Sequence, residues 1–390
     1  MAKKGFDVLI INYEFPPLGG GGGVATYDLA VEWVSQGRVD VVTSSFKGLP
    51  AYEKMGEIHV HRVRIFFRKS RDAASFLSML FYLPGAFFRG IRLMRQRRYG
   101  VINTHFAVPS GPVGWLLGRI FRVPNVLSLH GGDIYDPSKK LSPHRSFFFR
   151  RVVRFILNRA DRIVAQSHNT RKNTITYYDP VKEIDVIPLA FHPPAKPRAT
   201  RRGLGIDGDA FMIITIGRLI KRKALDVLIR AVAAARAKKV RLYVMGNGPE
   251  REFLEETARE CGAGDRVVFL GYVTDEEKFA HIAVADLFAL TSLHEGFGIV
   301  FMESMYFGLP IVCTNNGGQT DFLVHGENAL LVDVGDAAAC AAAIDRFASD
   351  RKLYRACSNN NRKAVKRFYA EEVAGRYVDV FREVARRDAP

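Results

Sequence analysis

The chain has 390 residues, of which 48% are hydrophobic and 25% are charged. This composition is typical of globular proteins and excludes a disordered or fibrous chain, and at about 100–200 residues a domain the length indicates two or three domains. No two of the four cysteines form a CxxC pair, which excludes a cysteine zinc site and argues against a disulfide framework. We therefore expect a cytoplasmic protein.

The positive charge is concentrated in the first half of the chain. The formal net charge at pH 7 is +17. Residues 1–195 contain 28 Lys and Arg against 14 Asp and Glu, whereas residues 196–390 contain 29 against 26. Such an asymmetry indicates two domains that face different partners.

The first half alternates short apolar runs with amphipathic stretches. The apolar runs predict buried parallel strands at residues 6–12, 39–44, 100–105, 125–131, 162–167 and 183–188. Helices are predicted between them at 25–36, 89–98 and 147–158. This alternation is typical of a doubly wound α/β domain.

The alternating pattern stops at residues 188–205, which are rich in proline, contain no acidic residue and show no periodicity. We interpret this segment as a linker. The alternation then resumes, with strands predicted at 210–217, 240–246, 266–271, 286–292, 310–315 and 328–333, and closing helices at 336–348 and 364–387. The prediction is a first domain over residues 1–190, a linker over 191–205 and a second domain over 206–368.

The strongest motif is TSLHEGFGIVFMESMYFGLPIV at residues 291–312. Glu295 and Glu303 have an i,i+8 spacing, which predicts that both lie on roughly one helical face. Glycines before the apolar run would let backbone N–H groups and a helix N-terminus approach an anion. Two carboxylates beside a phosphate suit hydrogen bonds to sugar hydroxyls. A helix with two solvated glutamates and a glycine start is an equal alternative.

The motif resembles the signature of the retaining glycosyltransferases of family 4. GRLIKRKALDVLI at 217–229 and NYEFPPLGGGGGVATYDLA near the start resemble further segments of that family in the same order. The resemblance covers nearly the whole chain and is tight from about 210 to 335. It implies the GT-B fold, in which two Rossmann-like, doubly wound parallel-sheet domains face each other across a cleft. The closing helix, about residues 369–390, is expected to pack back on the first domain.

The resemblance implies a nucleotide-diphosphate sugar, of the UDP or GDP type, as the donor. Arg218 and Lys223 would hold its diphosphate, Glu295 the hydroxyls of its sugar and Glu303 its ribose. The other residues expected to bind the donor here are Gly217, Gly296, Phe297, Gly298 and Ile299. No DxD follows a predicted strand, so we expect neither a metal nor another cofactor, with the cations and the helix dipole supplying positive charge. Without the other motifs, residues 221–223 would be interpreted as a solvated basic turn.

Two features of the first domain complete the expected site. The glycine run at 18–24 permits a close backbone approach, and the resemblance places Gly20, Gly21 and Gly23 near the donor phosphate and the acceptor. His130 stands where the family has a catalytic histidine, although most single histidines are structural, and Asp133 is a weaker candidate for contact with the acceptor. Ala224 departs from the family pattern, which has glycine there.

Basic residues alternate with aromatic ones in the segments Arg62–Arg98 and Arg145–Arg162. Such a pattern suits an interfacial helix on an anionic membrane. Equally, the aromatic rings would pack in the core beneath solvated arginines. The longest apolar stretch, Phe76–Phe88, contains Pro84 and is too short to span a bilayer. No nucleic-acid-binding module is recognisable, so no nucleic-acid partner is expected.

The sequence thus predicts a retaining, metal-independent glycosyltransferase that transfers a sugar to a glycan or lipid-linked acceptor, in the synthesis of cell-envelope glycolipid or polysaccharide. We expect it in the cytoplasm, with peripheral association at the inner face of the membrane. A nucleotide-sugar epimerase of related fold is the alternative enzyme. The alternative outside enzymes is a non-catalytic basic protein that binds membranes or nucleic acid.

Overall fold

The computed structural model describes residues 5–68, 70–71, 75–139, 142–237 and 239–387. Its contacts divide the chain into two compact units. Unit 1 runs to His192 and resumes at Phe368, and unit 2 is Pro193–Arg367.

Unit 1 is built on an eight-stranded sheet with the strand order β3-β4-β2-β1-β5-β6-β7-β8. Its strands are β1 (Val8–Asn12), β2 (Val39–Ser44), β3 (Tyr52–Met55), β4 (Ile58–Val63), β5 (Val101–His105), β6 (Asn125–Leu129), β7 (Arg162–Ala165) and β8 (Ile184–Val186). All neighbours pair in parallel except β3 and β4, which are antiparallel. The helices are α1 (Gly21–Trp33), α2 (Phe76–Gln96), α3 (Ser110–Phe121), α4 (Phe147–Arg159) and α5 (His168–Tyr178).

Unit 2 contains a six-stranded, wholly parallel sheet with the order β11-β10-β9-β12-β13-β14. Its strands are β9 (Phe211–Ile216), β10 (Val240–Met245), β11 (Val267–Gly271), β12 (Leu287–Leu290), β13 (Ile311–Thr314) and β14 (Ala329–Val332). Its helices are α6 (Leu225–Ala234), α7 (Arg251–Glu260), α8 (Asp275–Val284), α9 (Ile299–Phe307), α10 (Ala337–Ser349) and α11 (Arg351–Ala364). The last helix of the chain, α12 (Ala370–Arg387), belongs to unit 1.

The predicted fold class is confirmed in that each unit is a Rossmann-like α/β domain. Every residue of β1, β2 and β5 is buried, because helices cover both faces of a parallel sheet and leave no polar side to the strand. This is why the apolar runs were readable in the sequence.

Two local features go beyond what the sequence predicted. The β3–β4 hairpin was not predicted, because β3 reads YEKM and alternates between exposed and half-buried residues at the sheet edge. The helix predicted at 89–98 is the end of α2, which begins at Phe76 and includes Pro84. Its Ser75 N-cap hydroxyl accepts from the N–H of Ser78, a start signal that the apolar residues after it concealed.

The C-terminal helix α12 completes the core of unit 1. Its residues Tyr377 and Phe381 place their rings 5.6 and 5.0 Å from that of Trp33 on α1, and Phe381 also meets Phe6 at 5.9 Å. The chain returns to unit 1 beside its exit, since Phe191 exchanges backbone hydrogen bonds with Phe368 and Ala370.

None of the described helices combines the length and the apolar character needed to cross a membrane.

Replacing Phe381 with Ala removes the ring that joins α12 to Trp33 and Phe6. We expect the free energy of unfolding of unit 1 to fall by about 3–5 kcal/mol. Both tryptophans of the chain, Trp33 and Trp115, lie in this unit, so denaturation followed by tryptophan fluorescence reports on it. The exposed Arg386 on the same helix provides the control, because Arg386→Ala should cost less than about 0.5 kcal/mol. Equal effects of the two substitutions would contradict this packing.

Candidate functional site

The strand order of the unit 2 sheet reverses at β9. The strands β10 and β11 are added on one side of β9, and the next strand, β12, lies on its other side. In open α/β sheets, ligands bind at such a switch, beyond the carboxyl ends of the two strands. The segments that follow these strands carry Gly217, Arg218, Lys223 and Glu295. The topology therefore brings the predicted residues of this unit to the expected edge of the sheet.

Lys223 and Glu295 form a buried ion pair at this edge. Nζ of Lys223 lies 2.8 Å from Oε1 of Glu295, and the Ser292 hydroxyl donates to the same oxygen at 2.6 Å. Nη1 of Arg222 lies 3.5 Å from Oε2 of Glu295. Arg218, in contrast, is exposed. Of the two predicted diphosphate ligands, one is therefore buried and anchored to a carboxylate, and the other lies at the surface of the unit.

Burial and charge act in opposite directions on the pair. Burial raises the pKa of Glu295, but the charges of Lys223 and Arg222 outweigh it and hold this pKa at about 2. Burial lowers the pKa of Lys223, against the attraction of Glu295. Glu295 is thus ionised at neutral pH, and Lys223 is a cation that has already lost most of its water. Such preorganised charge stabilises a developing anion more effectively than charge in water.

Glu295 does not share a helical face with Glu303, so the expectation from the i,i+8 spacing is wrong. The helix α9 begins only at Ile299, and Glu295 lies before it in a segment that bridges to Gly317. The N–H of Gly318 donates to the carbonyl of Glu295 at 2.8 Å. Gly317 has a φ of +136°, and a Cβ there would lie 2.5 Å from that carbonyl oxygen. The glycine pair after β13 therefore fixes the carboxylate.

The turn that carries Lys223 is tied to the segment that carries Glu295. The Thr291 hydroxyl donates to the carbonyl of Ala224 at 2.8 Å, and the N–H of Leu293 donates to the carbonyl of Arg222 at 2.8 Å. Ala224 closes the turn with a φ of +43°, in the left-handed region that favours glycine. This conformation explains why glycine is expected at that position. The side chain of Lys223 passes close to Gly217, where a Cβ would lie 3.2 Å from the lysine Cε.

Glu303 lies on α9 and is buried. Its Oε1 accepts from Nζ of Lys278 at 2.7 Å, and the same ammonium lies 2.9 Å from Asp275. Burial lowers the pKa of Lys278, but the charge of Glu303 outweighs it, so the net change is upward. Lys278 was missed by sequence reasoning, because its i,i+3 spacing from Asp275 is equally typical of a surface ion pair.

The start of α9 follows the predicted pattern. Gly298 is the N-cap residue with a φ of +95°, Ile299 is the first helical residue, and Gly296 precedes them. The ring of Phe297 is buried against that of Phe322, 4.9 Å away. The side chain of Phe297 therefore packs in the core, so the backbone is the only part of this residue that a ligand could contact.

The strand order of the unit 1 sheet reverses between β1 and β5, and the glycine run follows β1. Gly20 is the N-cap residue of α1 and Gly21 its first residue. Gly23 is buried, and a Cβ there would lie 3.2 Å from the carbonyl oxygens of Glu14 and Leu18. The run is thus the first turn of a helix at the switch point of its sheet, as in anion-binding α/β loops.

His130 follows β6 beside this turn. Its Nε2 lies 2.9 Å from Nδ1 of His105, and its ring lies against that of Phe106, with centroids 4.4 Å apart and the planes tilted by 33°. A Cβ at Gly22 would lie 3.0 Å from Nδ1 of His130. Burial lowers the pKa of His130 to about 3, so the imidazole is neutral at physiological pH. Gly22 and His105 were not among the predicted site residues, although each ends or follows a strand at the switch point.

Asp133 holds the backbone around His130. Its two carboxylate oxygens accept from the N–H groups of Ala107 at 2.7 Å and of His130 at 3.0 Å. Burial raises the pKa of Asp133 to about 6. The structure therefore gives Asp133 contacts that fix the loops after β5 and β6.

The aromatic residues of α2 and α4 divide between core and surface. Tyr82 is buried in the core, as the packing interpretation expects. The exposed large apolar side chains of these helices are Phe76, Leu77, Leu80, Phe81, Phe88, Phe147, Phe148 and Phe155. Together with the exposed arginines of the two helices, which are Arg92, Arg95, Arg150, Arg151, Arg154 and Arg159, they are here called the aromatic–arginine surface. The rings of Phe76 and Phe149 lie 5.8 Å apart and join the two helices.

Among the described residues, no group of three or more His, Cys, Asp or Glu side chains is arranged to hold a metal ion.

Comparison with known families accounts for both units. The family described as "Glycosyl transferases group 1" matches residues 197–364, and "Glycosyltransferase Family 4" matches residues 19–193. A GDP-mannose-dependent alpha-(1-6)-phosphatidylinositol monomannoside mannosyltransferase of Mycobacterium tuberculosis is 31% identical over 88% of this chain and 89% of its own length. The chain belongs to the group 1 glycosyltransferases.

Further relatives of this glycosyltransferase are similar along their whole length. An uncharacterized glycosyltransferase of Methanocaldococcus jannaschii is 28% identical over 96% of this chain and 97% of its own. Sucrose-phosphate synthase from Thermosynechococcus elongatus has a TM-score of 0.83 at 24% identity, covering 97% of this chain and 98% of its own. Anabaena HepE, solved with UDP and glucose, has a TM-score of 0.77 at 22% identity, covering 97% and 100%. These solved structures establish the GT-B type of fold for the chain.

Ala224→Gly should stabilise unit 2, because a residue with a Cβ pays roughly 1 kcal/mol to adopt the left-handed conformation. We expect the free energy of unfolding to rise by about 0.5–1 kcal/mol, measured by differential scanning calorimetry. Ala231→Gly, within the same helix α6, is the matched control and should destabilise by about 1 kcal/mol or more. A loss of stability in Ala224→Gly would show that the turn has a different conformation.

Proposed function

We propose that this glycosyltransferase is a retaining, metal-independent enzyme whose unit 2 binds a nucleotide-diphosphate sugar and whose unit 1 serves the acceptor. The observation that carries the proposal is the buried Lys223–Glu295 pair, 2.8 Å apart, at the switch point of the sheet in unit 2. A cation fixed by a carboxylate, with the exposed Arg218 on the same loop, suits a diphosphate that gains charge as it departs. The GDP-mannose-dependent relative and the UDP complex of HepE support this class of donor.

In the proposed reaction, the bond between the anomeric carbon and the diphosphate oxygen breaks, and its electron pair goes to the diphosphate. Lys223, Arg218 and the N-terminus of α9 stabilise that charge. The acceptor hydroxyl attacks from the face that the diphosphate leaves, and its proton passes to a departing phosphate oxygen. The products are a nucleoside diphosphate and a glycoside of unchanged anomeric configuration. Glu295 orients Lys223 and accepts from sugar hydroxyls, and Glu303 accepts from the ribose hydroxyls.

The acceptor is proposed to be a lipid-linked glycan or glycolipid of the cell envelope. This proposal is supported by the aromatic–arginine surface and by the relative named for a phosphatidylinositol monomannoside. We further propose that this surface docks on an anionic bilayer. Exposed phenylalanines enter the interface of a bilayer, and each nearby Lys or Arg adds about 1 kcal/mol of attraction to anionic lipid.

The donor class and the stereochemistry are tested together. UDP, GDP, UDP-glucose and GDP-mannose are first screened by thermal shift, in which a ligand at 100 times its Kd adds about 2.7 kcal/mol of stability. The donor that binds is then incubated with vesicles that contain phosphatidylinositol monomannoside, the glycolipid named for the relative, and the anomeric proton of the product is examined by NMR. We expect a product with the donor's configuration. An inverted product would overturn the retaining mechanism, and epimerised donor formed without acceptor would overturn the transferase.

Lys223→Gln should reduce kcat by about 10²–10³-fold, because glutamine leaves a polar side chain beside Glu295 but supplies no charge to the diphosphate. Lys223→Ala is less informative, since it leaves Glu295 with one fewer partner and should also destabilise unit 2. Lys221→Ala is the matched control, because Lys221 is exposed in the same turn and should change kcat less than about twofold. If both variants turned over at the same rate, Lys223 would have no role in the chemistry.

Binding to the membrane is tested by co-sedimentation with vesicles. The protein should bind vesicles that contain phosphatidylglycerol, bind those of pure phosphatidylcholine weakly, and dissociate at high salt. Phe148→Ser should weaken binding about tenfold, because it removes a ring that is 68% exposed on α4. Tyr272→Ser removes a ring that is 76% exposed on unit 2 and serves as the control. Equal effects of the two substitutions would overturn the docking surface.

A further inference from the structure

A chain of hydrogen-bonded side chains leads from the sheet of unit 1 to His130. Oδ1 of Asn103 lies 2.6 Å from Nε2 of His105. Nδ1 of His105 lies 2.9 Å from Nε2 of His130. Asn103 and His105 are buried on β5. The positions of the protons along this chain follow from which atoms can donate and which can only accept.

The orientation of Asn103 is fixed at the start of the chain. Its Nδ2 lies 3.1 Å from the backbone carbonyl oxygen of Val126 and 3.1 Å from the hydroxyl of Ser128. A carbonyl oxygen can only accept, so the amide nitrogen must face it. Oδ1 of Asn103 therefore faces His105, and because an amide oxygen also only accepts, the proton must be on Nε2 of His105.

The proton on Nε2 of His105 determines the state of the next ring. Burial lowers the pKa of His105 well below its ordinary value, so the ring is neutral and its Nδ1 is an acceptor. The Thr26 hydroxyl lies 3.1 Å from Nδ1 of His105 and 2.7 Å from the carbonyl oxygen of Gly22. Whichever of the two receives its proton, Nδ1 of His105 has only a lone pair to offer to His130. Nε2 of His130 is then the protonated nitrogen, and its Nδ1 carries a lone pair.

That lone pair has no hydrogen-bond partner among the described residues, although the atom is buried. A buried acceptor without a partner is costly, and such an atom beside a glycine turn is available for a ligand. Gly22 lies against it, since a Cβ at this position would be 3.0 Å from Nδ1 and 2.9 Å from the ring of Phe106. A substrate hydroxyl can reach Nδ1 only if this turn moves. The turn has no side chain at Gly22 that would block the hydroxyl.

We propose that Asn103 and His105 are positioning residues that hold His130 in its Nε2-protonated tautomer, so that Nδ1 accepts a hydrogen bond from a hydroxyl of the sugar substrate. The proposal rests on the proposed function for the identity of the ligand. The tautomer itself does not depend on that function, because it is set in the free protein.

The decisive measurement is the 15N NMR spectrum of the ring nitrogens in the full-length protein labelled with 15N-histidine. His130 is assigned by comparison with His130→Gln. We expect the wild-type protein to show a protonated Nε2 and a non-protonated Nδ1 for His130 across the neutral pH range. A protonated Nδ1, or a mixture of tautomers, would overturn the proposal whether or not the protein transfers a sugar. The same tautomer in a protein without transferase activity would instead count against the proposed function alone.

Variants separate positioning from structure. Asn103→Leu removes the acceptor at the start of the chain and should give mixed tautomers for His130, with kcat/KM reduced about tenfold through loss of one oriented hydrogen bond. His105→Phe is the second variant, and the same mixture is expected there. Thr104→Ser alters the next residue of β5, keeps a hydroxyl that can donate to Asn125, and should leave the tautomer unchanged. An unchanged tautomer in both Asn103→Leu and His105→Phe would contradict the positioning role.

Discussion

The buried ion pair of Lys223 and Glu295 is the interaction on which the site in unit 2 depends. Neither charge would be stable at this depth alone, because removing a charge from water costs several kcal/mol. Together they are held between two adjacent strand ends, where Ser292 donates to the same carboxylate oxygen as Lys223 and Arg222 lies 3.5 Å from the other oxygen. The backbone conformations of the glycine pair at 317–318 and of the turn at Ala224 allow these two segments to approach each other. The result is a positive group whose place is fixed before any ligand arrives.

The two units use different physical chemistry. Unit 2 presents charge, in the Lys223–Glu295 and Lys278–Glu303 pairs and the exposed Arg218. The side chains linked to His130 in unit 1, Asn103 and His105, are instead neutral hydrogen-bonding groups, because burial keeps both His105 and His130 uncharged. Cations suit a diphosphate, and neutral imidazole and amide groups can donate to and accept from hydroxyls. This division agrees with the proposal that one unit binds the donor nucleotide and the other serves the acceptor.

Much of the fold was readable from the sequence because parallel strands covered on both faces become continuous apolar runs. All the predicted strands are present, with ends that differ by a few residues. The hairpin of β3 and β4 was not readable, because an edge strand such as YEKM has a solvated face and few apolar residues. The surface helix α2 was only partly predicted, since its apolar residues belong to two faces, one in the core and one exposed.

The sequence could place Arg218, Lys223, Glu295 and His130 in segments that come after strands, whereas the roles expected of them came from the resemblance and stay predictions. Spacing alone misled for Glu295, because a bridge to Gly317, 22 residues later, decides its conformation. Long-range partners of this kind also explain why Lys278 and His105 were missed. Their roles come from contacts with Glu303 and His130, which only the folded chain brings near them.

The most direct measurement of the central claim is a crystal structure of the protein with a bound nucleoside diphosphate. The account predicts the diphosphate beyond the carboxyl end of β9, with its oxygens within hydrogen-bond distance of Nζ of Lys223 and the guanidinium of Arg218. It also predicts that Lys223 keeps its contact with Glu295. A diphosphate bound elsewhere, or bound without contact to Lys223, would contradict the account.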